Sequence, residues 1–100
     1  MKCVIEKGFV SAIKDVKWKT ETAEGVKHIL CVKERTGDDE FSSVIVHELT
    51  VKDEDYKEVK SYEGKTVRVE GHIYARYVKN KEKNTDYTFS NFVLESIELV

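Results

Sequence analysis

The stretch that decides the fold is GKTVRVEGHIYAR, residues 64–76. Across residues 66–78, apolar or small side chains alternate with polar ones, which is the pattern of a half-buried β-strand. If Val69 and Ile73 point into a core, Tyr74 points outward on the opposite face. We therefore predict a strand over residues 66–78, with a polar outer surface that carries charge and one aromatic ring.

Four further segments show strand patterns, at residues 3–18, 26–35, 41–49 and 87–100. In the first segment apolar side chains occur at both odd and even positions, so the pattern does not decide which face points inward. Gly8 lies inside this segment and marks a candidate bulge or bend. The sequence thus predicts five strands.

Residues 53–64 break the strand pattern. Three apolar or aromatic side chains recur there at helical spacing, namely Tyr56, Val59 and Tyr62. Asp53 is a candidate cap for the helix N-terminus, and Gly64 is a candidate for ending the helix. We expect a short helix whose aromatic face packs under the sheet.

The predicted order is therefore β-β-β-α-β-β, the order of the OB-fold, a five-stranded Greek-key barrel with one helix between strands three and four. The fold class is mainly all-β. A length of 100 residues fits a single domain over residues 1–100. Other small barrels and α+β sandwiches are the alternatives.

Composition excludes several classes of protein. The chain has 17 Lys and Arg against 19 Asp and Glu, a net charge of −2. The acidic excess lies in residues 36–66, which hold 4 basic and 9 acidic side chains. No apolar run approaches the roughly 20 residues that cross a bilayer, and we find no signal peptide, so no membrane association is expected. With two cysteines the chain is not a disulfide scaffold, and we expect a cytoplasmic protein.

Several stretches together are similar to one known family. They are VIEKGFV at residues 4–10, EF at 40–41, VIV at 44–46, the Gly-x-x-Val-x-Val-x-Gly pattern that begins at Gly64 and continues to Arg76, and VLESIEL at 93–99. In this order they resemble the bacterial and phage single-stranded DNA-binding proteins, including the short relative called primosomal replication protein N. The chain departs from the family pattern at Val78, where the family often has Trp.

This resemblance implies a function and several partners. It implies binding of single-stranded DNA with little sequence preference, in replication, recombination or repair. It also implies a homo-oligomer, either a dimer or a tetramer, and replication proteins as candidate partners. The resemblance further places Phe41 where the family stacks a base.

Single-stranded nucleic acid is held by bases stacking on exposed aromatic rings and by cations that follow the phosphates. Three local groups combine these side chains. The first is Lys14, Lys17, Trp18 and Lys19; the second is Arg68, His72, Tyr74 and Arg76; the third is Tyr77, Lys79, Lys81, Lys83 and Tyr87 on a predicted hairpin. Lys33 and Arg35 on the second strand could add phosphate contacts. The structural alternatives are packing for Trp18 and Phe41 and ordinary solvated surface for the others.

Catalysis and metal binding find little support in the sequence. The metal-ligand types, Cys3, Cys31, His28, His47 and His72, form no paired motif. We find no nucleotide-binding loop and no nucleophile motif, so we expect neither an enzyme nor a cofactor. Two alternatives to DNA binding stay open. One is a protein–protein interaction subunit that uses the acidic middle third, and the other is an RNA-binding module, since discrimination of the 2′-OH is not readable here.

Overall fold

The computed structural model describes the backbone of residues 1–37, 43–80 and 85–100, and the side chains of residues 1–37, 43–75 and 90–100. The strands are β1 (Lys2–Lys19), β2 (Glu24–Thr36), β3 (Ser43–Val51), β4 (Thr66–Asn80) and β5 (Thr85–Leu99). A 3-10 turn at Asp53–Asp55 leads into the short helix α1, Tyr56–Lys60.

The strands close into a barrel in the order β1-β2-β3-β5-β4. Neighbouring strands are antiparallel except β3 and β5, which are parallel. The helix lies between β3 and β4 in the chain. These features confirm the expected OB-type barrel and its element order.

The helix start differs from the prediction. Asp53 was expected to cap a helix over residues 53–64, but it lies in the 3-10 turn, and no side chain caps either the turn or α1. The Asp53 carboxylate instead lies 3.3 Å from Nε2 of His28. β3 also begins at Ser43 and ends at Val51, two residues later than its predicted end.

Two irregularities in β1 decide which of its side chains enter the core. The register shifts between Ile5 and Gly8 in the pairing with β4, and between Val10 and Ala12 in the pairing with β2. Ile5 and Val10 are buried, whereas Phe9 is 46% exposed. Each shift changes which side of the strand faces inward. The expected irregularity at Gly8 is therefore confirmed.

The core fills the barrel with aliphatic side chains from every strand and from α1. Its buried members are Ile5, Val10, Leu30, Val32, Leu49, Val51, Val59, Val67, Val69 and Leu94. Val69 and Tyr74 take opposite faces of β4 as predicted, since Val69 is 1% exposed and Tyr74 is 55% exposed.

The helix packs under one end of the barrel, as its spacing predicts. Val59 joins the core, and Tyr56 and Tyr62 pack against it. Gly64 has a φ of 79°, in the left-handed region that favours glycine. Its amide donates to the carbonyl of Val10 over 2.9 Å, which ties the end of the helical segment to β1. Among the residues described, no helix has both the length and the apolar character needed to span a bilayer.

Gly8 tests the packing of β1 against β2. A Cβ added at Gly8 would overlap Cγ1 of Val32 and lie 3.1 Å from Cγ2 of Ile5. We predict that Gly8→Ala lowers the free energy of unfolding by about 1–3 kcal/mol, because the core must shift to admit the methyl group. Urea denaturation measures this change. The exposed Val4→Ala serves as a control on the same strand, and an unfolding midpoint for Gly8→Ala equal to that of the native chain would contradict the packing.

Candidate functional site

The outer surface of β1, β2 and β3 gathers basic and aromatic side chains. Residues paired across an antiparallel ladder share a face, so the register fixes the members of this surface. Its basic, aromatic and aliphatic members are Phe9, Lys14, Val16 and Trp18 on β1, Lys27, Ile29, Lys33 and Arg35 on β2, and Val44 and Val46 on β3, and the register also places Glu48 on this surface. We call this set the basic–aromatic face.

One row of this face crosses three strands. Lys33 pairs with Phe9 on β1 and with Val46 on β3. Phe9 and Val46 are 46% and 52% exposed. The row therefore presents an exposed ring beside an ammonium group, with an apolar side chain on the other flank.

Trp18 provides a second exposed ring near the end of the β1–β2 hairpin. It pairs with Gly25, and a Cβ at Gly25 would lie 2.7 Å from Cζ2 of the indole. The ring therefore rests directly on the glycine backbone while remaining 44% exposed. One face of the indole is supported by the hairpin, and the rest is open to a ligand.

The lysines of the face are not neutralised by neighbouring acids. In the described part of the chain, no ion pair involves Lys14, Lys27 or Lys33. Glu48, which pairs with Cys31, is the one acidic side chain that the described register places among them. Among the described side chains, the face therefore has four cations and one carboxylate.

Lys17 and Lys19 lie on the other side of the hairpin from Trp18, because side chains alternate along β1. They pair with Val26 and Glu24. Together with Trp18 and Gly25 these residues line a cleft of about 530 Å³ at the hairpin end. Three members of the first predicted group, Lys17, Trp18 and Lys19, thus line one cleft, whereas Lys14 lies outside its lining.

A polar cluster holds the hairpin against the helical segment. Asp15 Oδ1 lies 2.7 Å from Nδ1 of His28, and the Tyr56 hydroxyl donates to Asp15 Oδ2 over 3.2 Å. The rings of His28 and Tyr56 stack with centroids 3.7 Å apart. Hydrogen bonding from His28, with a smaller contribution from Tyr56, lowers the pKa of Asp15 below its ordinary value. These contacts attach the middle of the β1–β2 hairpin to the helical segment.

The outer surface of β4, which carries the second predicted group, is electrostatically different. Arg68 lies 3.0 Å from Glu6, 2.8 Å from Glu70 and 3.6 Å from Glu98. The hydrogen bonds that Arg68 donates to Glu70 and Glu6 raise the pKa of Arg68, and the bond to Glu70 lowers the pKa of that carboxyl group. Three carboxylates therefore offset the charge of this guanidinium.

His72 and Tyr74 continue the β4 surface. Their rings lie 4.5 Å apart at an angle of 42°, and His72 Nδ1 is 3.8 Å from Glu95. Tyr74 is exposed, so it can still offer a stacking surface. Seven predicted site residues have side chains outside the described set: Phe41, Arg76, Tyr77, Lys79, Lys81, Lys83 and Tyr87.

Sequence reasoning missed Phe9 and Lys27. Phe9 was one of several apolar residues in a segment whose inward face the pattern left open, and the bulges turn it outward. Lys27 lies on the basic–aromatic face because it pairs with Val16 of β1. The available signal was the parity of β2, since Lys27 has the same parity as Lys33 and Arg35.

The five candidate metal-ligand residues form no metal site within the described part of the chain. Cys3 and Cys31 are free thiols, and they pair with different residues, Gly71 and Ala12. Within the residues described, groups of three or more His, Cys, Asp or Glu side chains able to hold a metal ion are absent.

Comparison with known proteins finds structures of the same fold but no matching sequence family. No protein-family model matches the chain, and no curated protein matches it. The mitochondrial single-stranded DNA-binding protein Rim1 of S. cerevisiae is similar in structure, with a TM-score of 0.57 and 14% identity over 100% of this chain and 94% of Rim1. The Plasmodium falciparum SSB, solved with ssDNA, gives a TM-score of 0.57 and 15% identity over 99% of this chain and 91% of that protein. At these identities the likeness shows a shared barrel fold.

The contact between Trp18 and Gly25 predicts a spectroscopic effect. In Gly25→Val the new side chain occupies the place of the indole, so the ring must move into solvent. We expect a red shift of the tryptophan emission, which reports Trp18 alone because the chain has one Trp. Ala23→Val, at an exposed position before β2, is the control and should leave the emission unchanged. Unchanged emission in Gly25→Val would mean that the indole does not rest on Gly25.

The lowered pKa of Asp15 predicts a pH dependence of stability. A carboxyl whose pKa is lower in the folded state stabilises the fold above its ordinary value of 3.8, and that contribution is lost as the pH falls through the folded value. We expect Asp15→Asn to lower the urea midpoint at neutral pH, and this difference should disappear well below pH 3.8. The groups that face Asp15 are His28, Tyr56 and Lys60.

The more exposed Asp53→Asn is the matched control for this pH effect, since Asp53 also contacts His28 but from 3.3 Å. It should change the midpoint less than Asp15→Asn does. An equal loss at neutral and acidic pH in Asp15→Asn would show that the carboxylate charge is not what stabilises the hairpin.

Proposed function

We propose that this chain binds single-stranded DNA, with little sequence preference, through the basic–aromatic face. One observation carries the proposal: two exposed rings, Phe9 and Trp18, share a face with three lysines that form no ion pair with a described acid. Stacking on exposed rings and contact with phosphates are the two interactions that single strands require.

The dimensions of the face suit a single strand. Phe9 and Trp18 are nine residues apart on one strand, which corresponds to at most about 30 Å at roughly 3.3 Å per residue, because β1 bends at the bulge between Val10 and Ala12. Lys33 flanks Phe9 and Lys27 pairs with Val16, next to the Trp18 hairpin. A strand of several nucleotides can therefore stack on both rings while its phosphates meet the lysines, within the roughly 4–16 nucleotides that one OB-fold covers.

The low sequence preference follows from the chemistry of the contacts. Every base has a π-face that can stack on Phe9 or Trp18, and phosphates are the same in every sequence. The face has no cluster of Asn, Gln or bidentate Arg groups arranged to read base edges among its assigned members.

The two proteins of similar structure also support this proposal. Both share the barrel, both are described as single-stranded DNA-binding proteins, and one was solved with ssDNA. Three further points stay predictions. They are action in replication, recombination or repair, DNA binding by the third predicted group and by Phe41, and replication proteins as partners.

The β4 surface takes a smaller part in the proposed site. The charge of Arg68 is offset by Glu6, Glu70 and Glu98, so it attracts phosphate less than Lys33 does. Tyr74 remains as an additional stacking surface. The strand is therefore expected to follow β1 and β2 first and to reach Tyr74 only on longer oligonucleotides.

Titration of the protein with oligo-dT tests the function directly. Quenching of Trp18 fluorescence, with affinity falling as salt rises and with duplex DNA competing poorly, supports the proposal. Oligo-U of the same length is the matched competitor, and tighter binding of oligo-U would reassign the face to RNA. The absence of any change in fluorescence and anisotropy at low salt would contradict nucleic-acid binding and favour a protein-interaction role.

Among the described residues Lys33 has no ion-pair partner, and this predicts a change in salt dependence when Lys33 is removed. For a single strand, log affinity falls with log salt by about 0.7 for each phosphate contact. We expect Lys33→Ala to reduce this slope by about 0.7. Lys2→Ala is the matched control, because Lys2 is already held 3.2 Å from Glu70, and its slope should equal that of the native chain. Equal slopes in all three proteins would remove Lys33 from the interface.

A further inference from the structure

A cleft lies between the helical segment, residues 53–60, and the second half of β5. Its volume is about 220 Å³, and both elements line it. Val59 of the helix and Leu94 of β5 are buried members of the core, and together with the partly buried Ile97 they form an apolar floor. None of these elements belongs to the basic–aromatic face. The barrel therefore has a second concave surface, apart from the proposed DNA site.

Three carboxylates surround the apolar floor. Asp55 and Glu58 come from the helical segment and Glu95 comes from β5. Asp55 and Glu58 form no ion pair with any described residue, and Glu95 lies 3.8 Å from Nδ1 of His72. The lining of the cleft contains neither Lys nor Arg. We call this site the acidic cleft.

Two cations of the adjoining elements are engaged elsewhere. The Lys60 ammonium lies 5.0 Å from the centre of the Tyr56 ring, and the Arg68 guanidinium contacts carboxylates on three strands. The negative charge of the acidic cleft is therefore available to a cation from outside the chain. Phosphates are repelled by the same charge, so the cleft does not extend the proposed DNA site.

The backbone of β5 beside the cleft can accept an extended segment. Val93 pairs with Thr50 of β3, and beyond it the described pairs of β5 are all with β4, as far as Leu99. The two gaps in the described backbone adjoin the other end of β5: one precedes Thr85, where β5 begins, and the other precedes Ser43 on the parallel strand β3. One side of the second half of β5 is therefore open to backbone hydrogen bonds from an added strand.

We propose that the acidic cleft docks an extended basic segment of a partner protein, with one Lys or Arg side chain of that segment inside the cleft. Lys and Arg bury their aliphatic stems along apolar surface and keep the charged group at its margin. Here the stem lies on Val59 and Ile97. The charged group meets the carboxylates of Asp55, Glu58 and Glu95, and the residues beside this anchor pair with β5. Charge complementarity thus selects the occupant and speeds its association.

Docking at the acidic cleft leaves the basic–aromatic face uncovered. The cleft is built from the helical segment and β5, whereas the face is built from β1, β2 and β3. One barrel can therefore hold a partner protein and a nucleic acid at the same time. This consequence rests on the proposed function, whereas the docking itself does not.

Amide NMR of the full labelled chain, without nucleic acid, tests the docking. The probe is the acetylated and amidated peptide Ser-Val-Arg-Val-Ser, and its matched control carries norleucine in place of Arg. We expect saturable shifts at Glu58, Glu95 and Ile97 with the Arg peptide, and binding at least about tenfold weaker with the norleucine peptide, which keeps the stem and lacks the charge.

Charge-removing variants locate the contact. Combining Asp55→Asn with Glu58→Gln should weaken binding of the Arg peptide by about tenfold, since two exposed carboxylates are lost. The matched control combines Glu54→Gln with Glu63→Gln, which removes the same charge at exposed positions outside the cleft lining. It should leave the affinity for the peptide within about twofold of the native value. The spectra of both variants also show whether the barrel is folded.

Three results would overturn the inference. They are no shifts around the cleft at millimolar peptide, equal weakening by the two double variants, and tighter binding of free spermidine than of the Arg peptide, which would assign the cleft to a small polyamine. Affinity for oligo-dT, measured separately, should not fall in the Asp55→Asn, Glu58→Gln variant. Because the peptide titration contains no oligonucleotide, its failure is distinct from a failure of DNA binding.

Discussion

The division of β1 between two partners is the constraint on which the rest of this structure depends. Residues 2–9 of β1 pair with β4 and residues 9–19 pair with β2, so one strand belongs to both halves of the barrel. A strand can serve two differently inclined partners only if it bends, and bulges bend strands. The two register shifts supply that bend. They bury Ile5 and Val10 and leave Phe9 on the outside.

The same division explains why the two outer surfaces of the barrel differ in charge. On the β4 side, acids from three strands converge on Arg68, since Glu6 comes from β1, Glu70 from β4 and Glu98 from β5. On the β2 side, Lys33 is flanked by Phe9 and Val46 rather than by acids. A net charge of −2 is therefore compatible with a face rich in lysine, because three of the acids lie around Arg68 rather than around Lys33.

Much of the fold could be read from the sequence because its cues are local. The alternation of Val67 and Val69 with Arg68 and the helical spacing of Val59 depend on a few neighbouring residues. These cues predict the order of strands and helix along the chain and the outward direction of Tyr74.

The remaining features depend on contacts between distant segments. Phe9 faces outward because of bulges that alternation does not reveal, and Lys27 joins the face through its register with Val16. Asp53 fails to cap the helix, and its carboxylate lies against His28 from β2. Arg68 is predicted as a phosphate contact, but Glu6 and Glu98 approach it from other strands and offset its charge. Contacts between segments that are distant in the chain, rather than residue type, decide each of these cases.

The central claim is that a nucleic acid lies on the outer surface of β1 and β2. Backbone amide NMR of the isotopically labelled chain, titrated with oligo-dT, tests this most directly because it reports every strand at once. The account predicts shifts concentrated at Phe9, Trp18, Lys27 and Lys33, with little change at Glu70. Shifts confined to the β4 surface around Arg68, or no shifts at saturating oligonucleotide, would contradict it.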